Sequence, residues 1–204
     1  MNMFIDHPAS DLRVWLWFTF KHNNTGILIW ETNYWCVDCT GYDKLTDPYT
    51  EVMSWSYVTG KTWGNGEGRF FYPPEGWNKD FDKPIFSDPI ESMRWEYLRE
   101  GIEDWEYLTM LKELYESSAL NSEQKKIAKT LLDIPSSIVG DTDTEYSITP
   151  EEMVDRRNKV GKFITCFYNG EEYREDSSET DSASNRYLFS VFYLLCFILL
   201  SFMF

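Results

Sequence analysis

Histidine and cysteine are scarce in this sequence, at two and four of 204 residues. His7 and His22 have no ligand spacing. Cys36 and Cys39 form a lone Cys-x-x-Cys, and Cys166 and Cys196 lie far from it. A structural zinc needs two further ligands at short spacing, so neither a metal nor a cofactor is expected. The Cys36/Cys39 pair reads as a loop disulfide or two free thiols. No helix pattern follows Cys39, which argues against a thioredoxin-type redox site. Basic residues are also few: 19 Lys and Arg face 34 Asp and Glu, for a net charge of −15. That argues against nucleic acid, whose phosphates demand a basic patch. No Lys-Ser/Thr follows Gly64-Asn65-Gly66-Glu67-Gly68, so this glycine run is not a phosphate loop. Residues 1–11 have no basic region, and Asp6, His7, Pro8 and Asp11 interrupt any apolar run. No secretory signal is expected there, and the chain reads as starting in mid-domain.

Aromatic residues, by contrast, make up 18% of the chain, with nine Trp and thirteen Tyr. Their faces can stack on sugar rings; the alternative is a core that uses aromatics for bulk. The longest periodic stretch runs from Pro89 to Tyr115. Ile90, Met93, Tyr97, Leu98, Ile102, Trp105, Leu108, Leu111 and Leu114 recur in steps of three and four, which predicts a helix with one wide apolar stripe. Pro89 suits its first turn. Gly101 inside it costs about 1 kcal/mol against alanine, so a close neighbour is expected over it. Upstream, Leu12–Phe20 reads as a helix capped by Ser10 or Asp11, with a strand as the alternative. Gly26–Trp30 reads as a strand buried on both faces, residues 40–69 as a long loop, and Arg69–Tyr72 as a second buried strand. Asn23-Asn24-Thr25 is a glycosylation acceptor pattern. Alternating helices and strands imply parallel pairing with right-handed crossovers. Two more helices are expected: one from Asn121 or Ser122 to Leu132, stopped by Pro135, and one from a Thr149-Pro150-Glu151-Glu152 capping box to about Tyr168, closed by Asn169-Gly170. Asp141–Tyr146 between them reads as acidic linker.

Three ordered blocks carry a family resemblance. Thr25-Gly26-Ile27-Leu28-Ile29-Trp30 through Trp35, Gly66-x-Gly68-x-Phe70-Phe71-Tyr72-Pro73, and Ser92-x-Arg94-x-Glu96-x-Leu98-Arg99-x-Gly101-Ile102-x-Asp104-x-Glu106-Tyr107-Leu108 resemble the glycoside hydrolase 123-like family, also called domain of unknown function 4091. They cover the last part of that family's catalytic domain. The expected fold is therefore α/β, the C-terminal portion of a (β/α)8 TIM-type barrel: its last two strands plus outer helices over residues 1–170. A full barrel needs eight strands and roughly 250 residues.

The resemblance implies substrate-assisted hydrolysis at an N-acetylated hexosamine glycan, with an adjacent Asp-Glu pair on an earlier strand. Glu103-Asp104 and Glu152-Met-Val-Asp155 lie on predicted helices, and neither follows a buried strand. The dyad is not assigned to them, and the catalytic residues stay unassigned. For Arg94 and Asp104 a buried ion pair fixing helix to strand is expected rather than a catalytic role. Residues just past a barrel strand's C-terminal end face the ligand, which makes Trp30, Glu31, Asn33, Trp35 and Tyr72 the candidate sugar contacts. The indoles would stack and the polar groups would hydrogen-bond hydroxyls; the alternative is a polar strand end with two packing tryptophans. Residues 171–186 are acidic and Ser-rich, hence expected to be disordered. Residues 187–204 form an uncharged apolar run of about 18 residues, the length of a membrane span, with upstream small residues that also fit a glycolipid-anchor signal. A location in the secretory pathway, at the cell surface or in a membrane is expected. Three functions stay open: a terminal part of a glycosidase, a carbohydrate-binding module without catalysis, and a membrane-anchored structural protein.

Overall fold

The computed structural model describes residues 1–35, 45–56, 59–74 and 86–175. Contacts divide the chain into a unit of residues 1–171 and a second of 172–204. In the second, the described part is short, with Arg174 paired to Glu172 at 2.8 Å. The expectations for Cys36, Cys39, residues 176–186 of the acidic Ser-rich stretch and the apolar tail 187–204 lie outside the described residues. Among the described residues, no helix is long and apolar enough to cross a membrane.

The described residues of the first unit form four helices and two small sheets. In chain order these are α1 (Ser10–Lys21), β1 (Met53–Ser56), β2 (Lys61–Asn65), β3 (Phe71–Tyr72), β4 (Ile90–Glu91), α2 (Met93–Glu116), α3 (Ser122–Leu132) and α4 (Glu151–Asn169). β1 pairs with β2 and β3 with β4, both antiparallel. The expected parallel pairing is thus corrected, and no barrel forms among the described residues. Within the supposed loop 40–69, Met53–Ser56 pairs with Lys61–Asn65.

The predicted strand Gly26–Trp30 is also corrected. Among the described residues this segment joins no ladder, and no backbone hydrogen bond links residues 25–31 to another described residue. Burial alternates along it. Ile27 and Ile29 pack on the core of Leu12, Leu16, Phe70 and Leu98, whereas Leu28 is 79% exposed. The apolar run suggested burial on both faces, but only every second side chain has a partner, as the two-residue period of extended chain dictates. The second predicted strand shrinks to Phe71–Tyr72, because Phe70 N–H and Phe71 N–H both donate to Thr32 O.

α1 is a helix, as read from the sequence, but neither Ser10 nor Asp11 caps it. Ser10 Oγ donates to Ile148 O at 2.7 Å, and Asp11 Oδ2 accepts from Asn2 N and Tyr146 Oη. Tertiary partners have taken both side chains. α2 starts at Met93, four residues after Pro89. Ser92 is its cap, accepting from Trp95 N–H, while Ile90 and Glu91 pair with β3. Gly101 lies against α1: a Cβ there would sit 3.0 Å from both Cα and O of Arg13. Of the two caps expected for α3, Asn121 is the one used, and it forms a capping box with Gln124. α4 ends as predicted on Gly170 at φ 68°, but Thr149 forms no capping box, since Pro150 stands at the cap without a side-chain bond. The stretch 138–146 is ordered rather than a linker, with Val139 bridged to Tyr146.

Candidate functional site

Residues of all three sequence blocks meet at the turn Gly66–Arg69. Gly66 and Gly68 take φ values of 71° and 69°, a region that strains any residue with a Cβ. Space is the second reason for glycine. A Cβ on Gly66 would come within 2.8 Å of an Arg94 nitrogen. One on Gly68 would stand 3.1 Å from the Trp30 ring, 3.1 Å from Tyr34 Cβ and 3.2 Å from Glu31 Cβ. The first block therefore lies directly on the second. Tyr34 N–H donates to Gly68 O at 2.8 Å, and Asn33 bridges to Arg69.

Two buried guanidinium groups bind this turn to its surroundings. Arg69 Nε donates to Tyr34 O at 2.7 Å, its Nη2 to Thr46 Oγ1 at 3.0 Å, and its Nη1 to Glu51 O. Arg94, from α2, donates to Met3 O at 2.7 Å, Gly66 O at 2.9 Å and Arg69 O, and stacks over the Phe70 ring at 5.0 Å. Burial pulls both Arg pKa values below their ordinary range, with Tyr72 near each group as a smaller, opposing influence. Burial likewise pushes the half-buried Glu67 carboxyl up, with Arg94 opposing. The third block thus reaches the second through Arg94.

A match to "Glycoside hydrolase 123, catalytic domain" covers residues 1–111, which include all three blocks. The chain belongs to this family. No curated protein matches it. The glycoside hydrolase 123 match ends inside α2, so α3 and α4 follow it in sequence, although they belong to the same compact unit.

The candidate residues of this glycoside hydrolase 123 domain fall into two aromatic groups. Trp30, half exposed at 50%, lies 4.6 Å from Trp63 and 5.1 Å from Tyr34, and Tyr34 is 5.4 Å from Trp63. Tyr34 is buried behind them and donates its hydroxyl to Trp55 O at 3.0 Å. Glu31 is half-buried beside Gly68, and Asn33 is exposed. Trp35 and Tyr72 stand elsewhere. Trp35 Nε1 donates to Phe71 O at 2.9 Å, and Tyr72 packs on Tyr49 at 5.2 Å. The geometry thus brings Trp30 and Glu31 together, while Trp35 has its indole N–H committed to the backbone of β3.

Sequence reasoning missed Tyr34, Trp63 and Arg69. Tyr34 lies inside the first block, between the two tryptophans it selects. Trp63 directly precedes the glycine run, a position that marks the strand leading into a tight turn. Arg69 carried no signal, because its partners are mostly carbonyls far away in sequence.

Asp104 is fully buried, and its charge is taken up locally. Arg13 donates to it through Nε at 2.6 Å and Nη2 at 2.9 Å, Trp17 Nε1 at 2.8 Å, and Arg157 Nε stands 3.3 Å away. Glu103 is bound to Arg99 and Arg157. The expected ion pair therefore exists, but it joins α2 to α1 and α4 rather than helix to strand. Arg94 and Asp104 do not pair with each other; Arg94 holds carbonyls instead.

Proposed function

We propose that this chain supplies the carbohydrate-binding wall of a glycoside hydrolase active site that acts on N-acetylated hexosamine glycans, with Trp30, Glu31, Asn33, Trp35 and Tyr72 contacting sugar. The observation that carries this reading is the convergence of the three blocks on Gly66–Arg69, where the half-exposed Trp30 indole and Cβ of Glu31 both stand over Gly68. Indole faces suit the apolar face of a pyranose, and a carboxylate beside them accepts from hydroxyls. In this reading the segment 25–31 is a barrel strand, and its open backbone and outward Leu28 are what further strands of a (β/α)8 barrel would cover. The general acid belongs to those further strands. The uncharged tail 187–204 would tether the domain to a membrane or be exchanged for a lipid anchor on the secretory route.

A second reading, binding without hydrolysis, is favoured by one observation. The adjacent carboxylates Glu103 and Asp104 are both committed to arginines on helices, Asp104 with no exposure at all. Hydrolysis of an aryl N-acetylhexosaminide and binding of the corresponding disaccharide by the full chain separate the readings. Binding without turnover is expected from these residues alone, and Trp30→Ala and Trp35→Ala should weaken it. Ordinary turnover by the 204-residue chain would show that the acid is already present. Absence of any glycan binding would refute the proposed wall.

A further inference from the structure

β1 and β2 do not pair residue for residue. Met53 faces Asn65 and Ser54 faces Gly64, but Trp55 faces Thr62. Trp63 therefore has no partner across the hairpin. It is the extra residue of a β-bulge, and bulges re-aim a side chain, often beside an active site. Here the re-aimed side chain meets Trp30. The two rings stand at 86° with centroids 4.6 Å apart, so they form a corner, and both are part exposed, at 37% and 50%. Buried Tyr34 backs both rings and fixes the corner from behind. Below, Gly68 leaves room for Trp30 and for Glu31 at the foot of the corner. An indole serving only as core would not need a bulge to bring it to the surface.

We infer that Trp63 is a saccharide-binding residue, forming with Trp30 a right-angled aromatic corner that receives one pyranose ring. This inference rests on the carbohydrate reading of the site above. One indole covers the apolar face of the ring while the other closes its side, and the choice between epimers follows from which face is free of axial hydroxyls. Neither wall alone would fix the ring's orientation.

The full chain labelled with 5-fluorotryptophan tests this by fluorine NMR. Trp30→Phe and Trp63→Phe identify the two resonances, and phenylalanine keeps an aromatic ring at each position. Titration with N-acetylhexosamine disaccharides should shift both resonances along one binding curve. Trp63→Ala should weaken binding by roughly tenfold, about the share of one stacking contact, while Trp63→Phe should retain most of it. If Trp30 shifts and Trp63 does not, or if a folded Trp63→Ala binds as the parent does, the corner is refuted and the sugar reading stands. If no disaccharide moves either resonance, both fall together.

Discussion

Replacing Gly101 by alanine should destabilise the protein, against the usual rule for helices. An interior helical glycine costs about 1 kcal/mol relative to alanine, so the substitution normally stabilises. At this position the new methyl would sit 3.0 Å from Cα and O of Arg13 and 3.2 Å from a Leu16 methyl. Carbon atoms in good contact stand about 3.5–4.0 Å apart, so α1 must retreat by roughly 0.5 Å. The obstacle is backbone and cannot rotate away. Retreat also draws Arg13 from Asp104, where its bonds are 2.6 and 2.9 Å. Overpacking of this kind costs about 1–3 kcal/mol. Set against the gain in helix propensity, the net loss is about 1 kcal/mol, or roughly 2–4 °C in Tm for a unit of this size. Gly161 in α4 is the internal control. Its added methyl would meet the Tyr107 ring at 3.4 Å, an ordinary contact, so Gly161→Ala should stabilise by about 0.5–1 kcal/mol. Urea unfolding of both variants, compared at equal m-value, should give midpoint shifts of opposite sign. A Gly101→Ala protein that gains as much as Gly161→Ala would refute the close packing of α1 on α2.

Two further outcomes follow from the buried charges. Asp104→Ala should cost about 3–5 kcal/mol, since it strands the Arg13 guanidinium in a dry site; denaturant unfolding measures it, and a loss below about 1 kcal/mol would contradict the network. Tyr146 donates to buried Asp11 at 2.9 Å, and burial, assisted by that hydrogen bond, pushes its pKa from 10.0 up to about 12. The folded state thus holds this proton more tightly than the unfolded one. The stability it contributes is complete below about pH 10 and is lost as pH rises toward about 12. Tyr146→Phe should lower stability at neutral pH by about 1–3 kcal/mol, because Asp11 Oδ1 already lacks a partner among the described residues. It should also flatten the alkaline limb of the stability curve; an unchanged limb would assign that loss to other groups.

The four helices were legible because each announces itself locally. Asn121 with Gln124, Gly170 after Asn169, and the apolar steps of α2 are all features of neighbouring residues. Gly101 could also be read as a contact, because its cost in a helix has no local compensation. Strand pairing was not legible. Ile27-Leu28-Ile29 is apolar whichever partner it meets, and a strand's partner lies outside its own sequence. The site was half legible. Trp30 and Glu31 both stand against Gly68, whereas Trp63 meets Trp30 through a bulge that only the register of β1 against β2 reveals.

The sequence by itself determined the helices, the Asn121 start of α3, the Gly170 end of α4 and membership in the glycoside hydrolase 123 family, since each depends on residue type at short spacing. Only the tertiary structure decided that Asp104 binds Arg13 rather than Arg94, that the sheets are antiparallel, and that Trp63 faces Trp30. Those choices are made between residues up to 91 positions apart, where chain proximity says nothing and packing alone selects the partner.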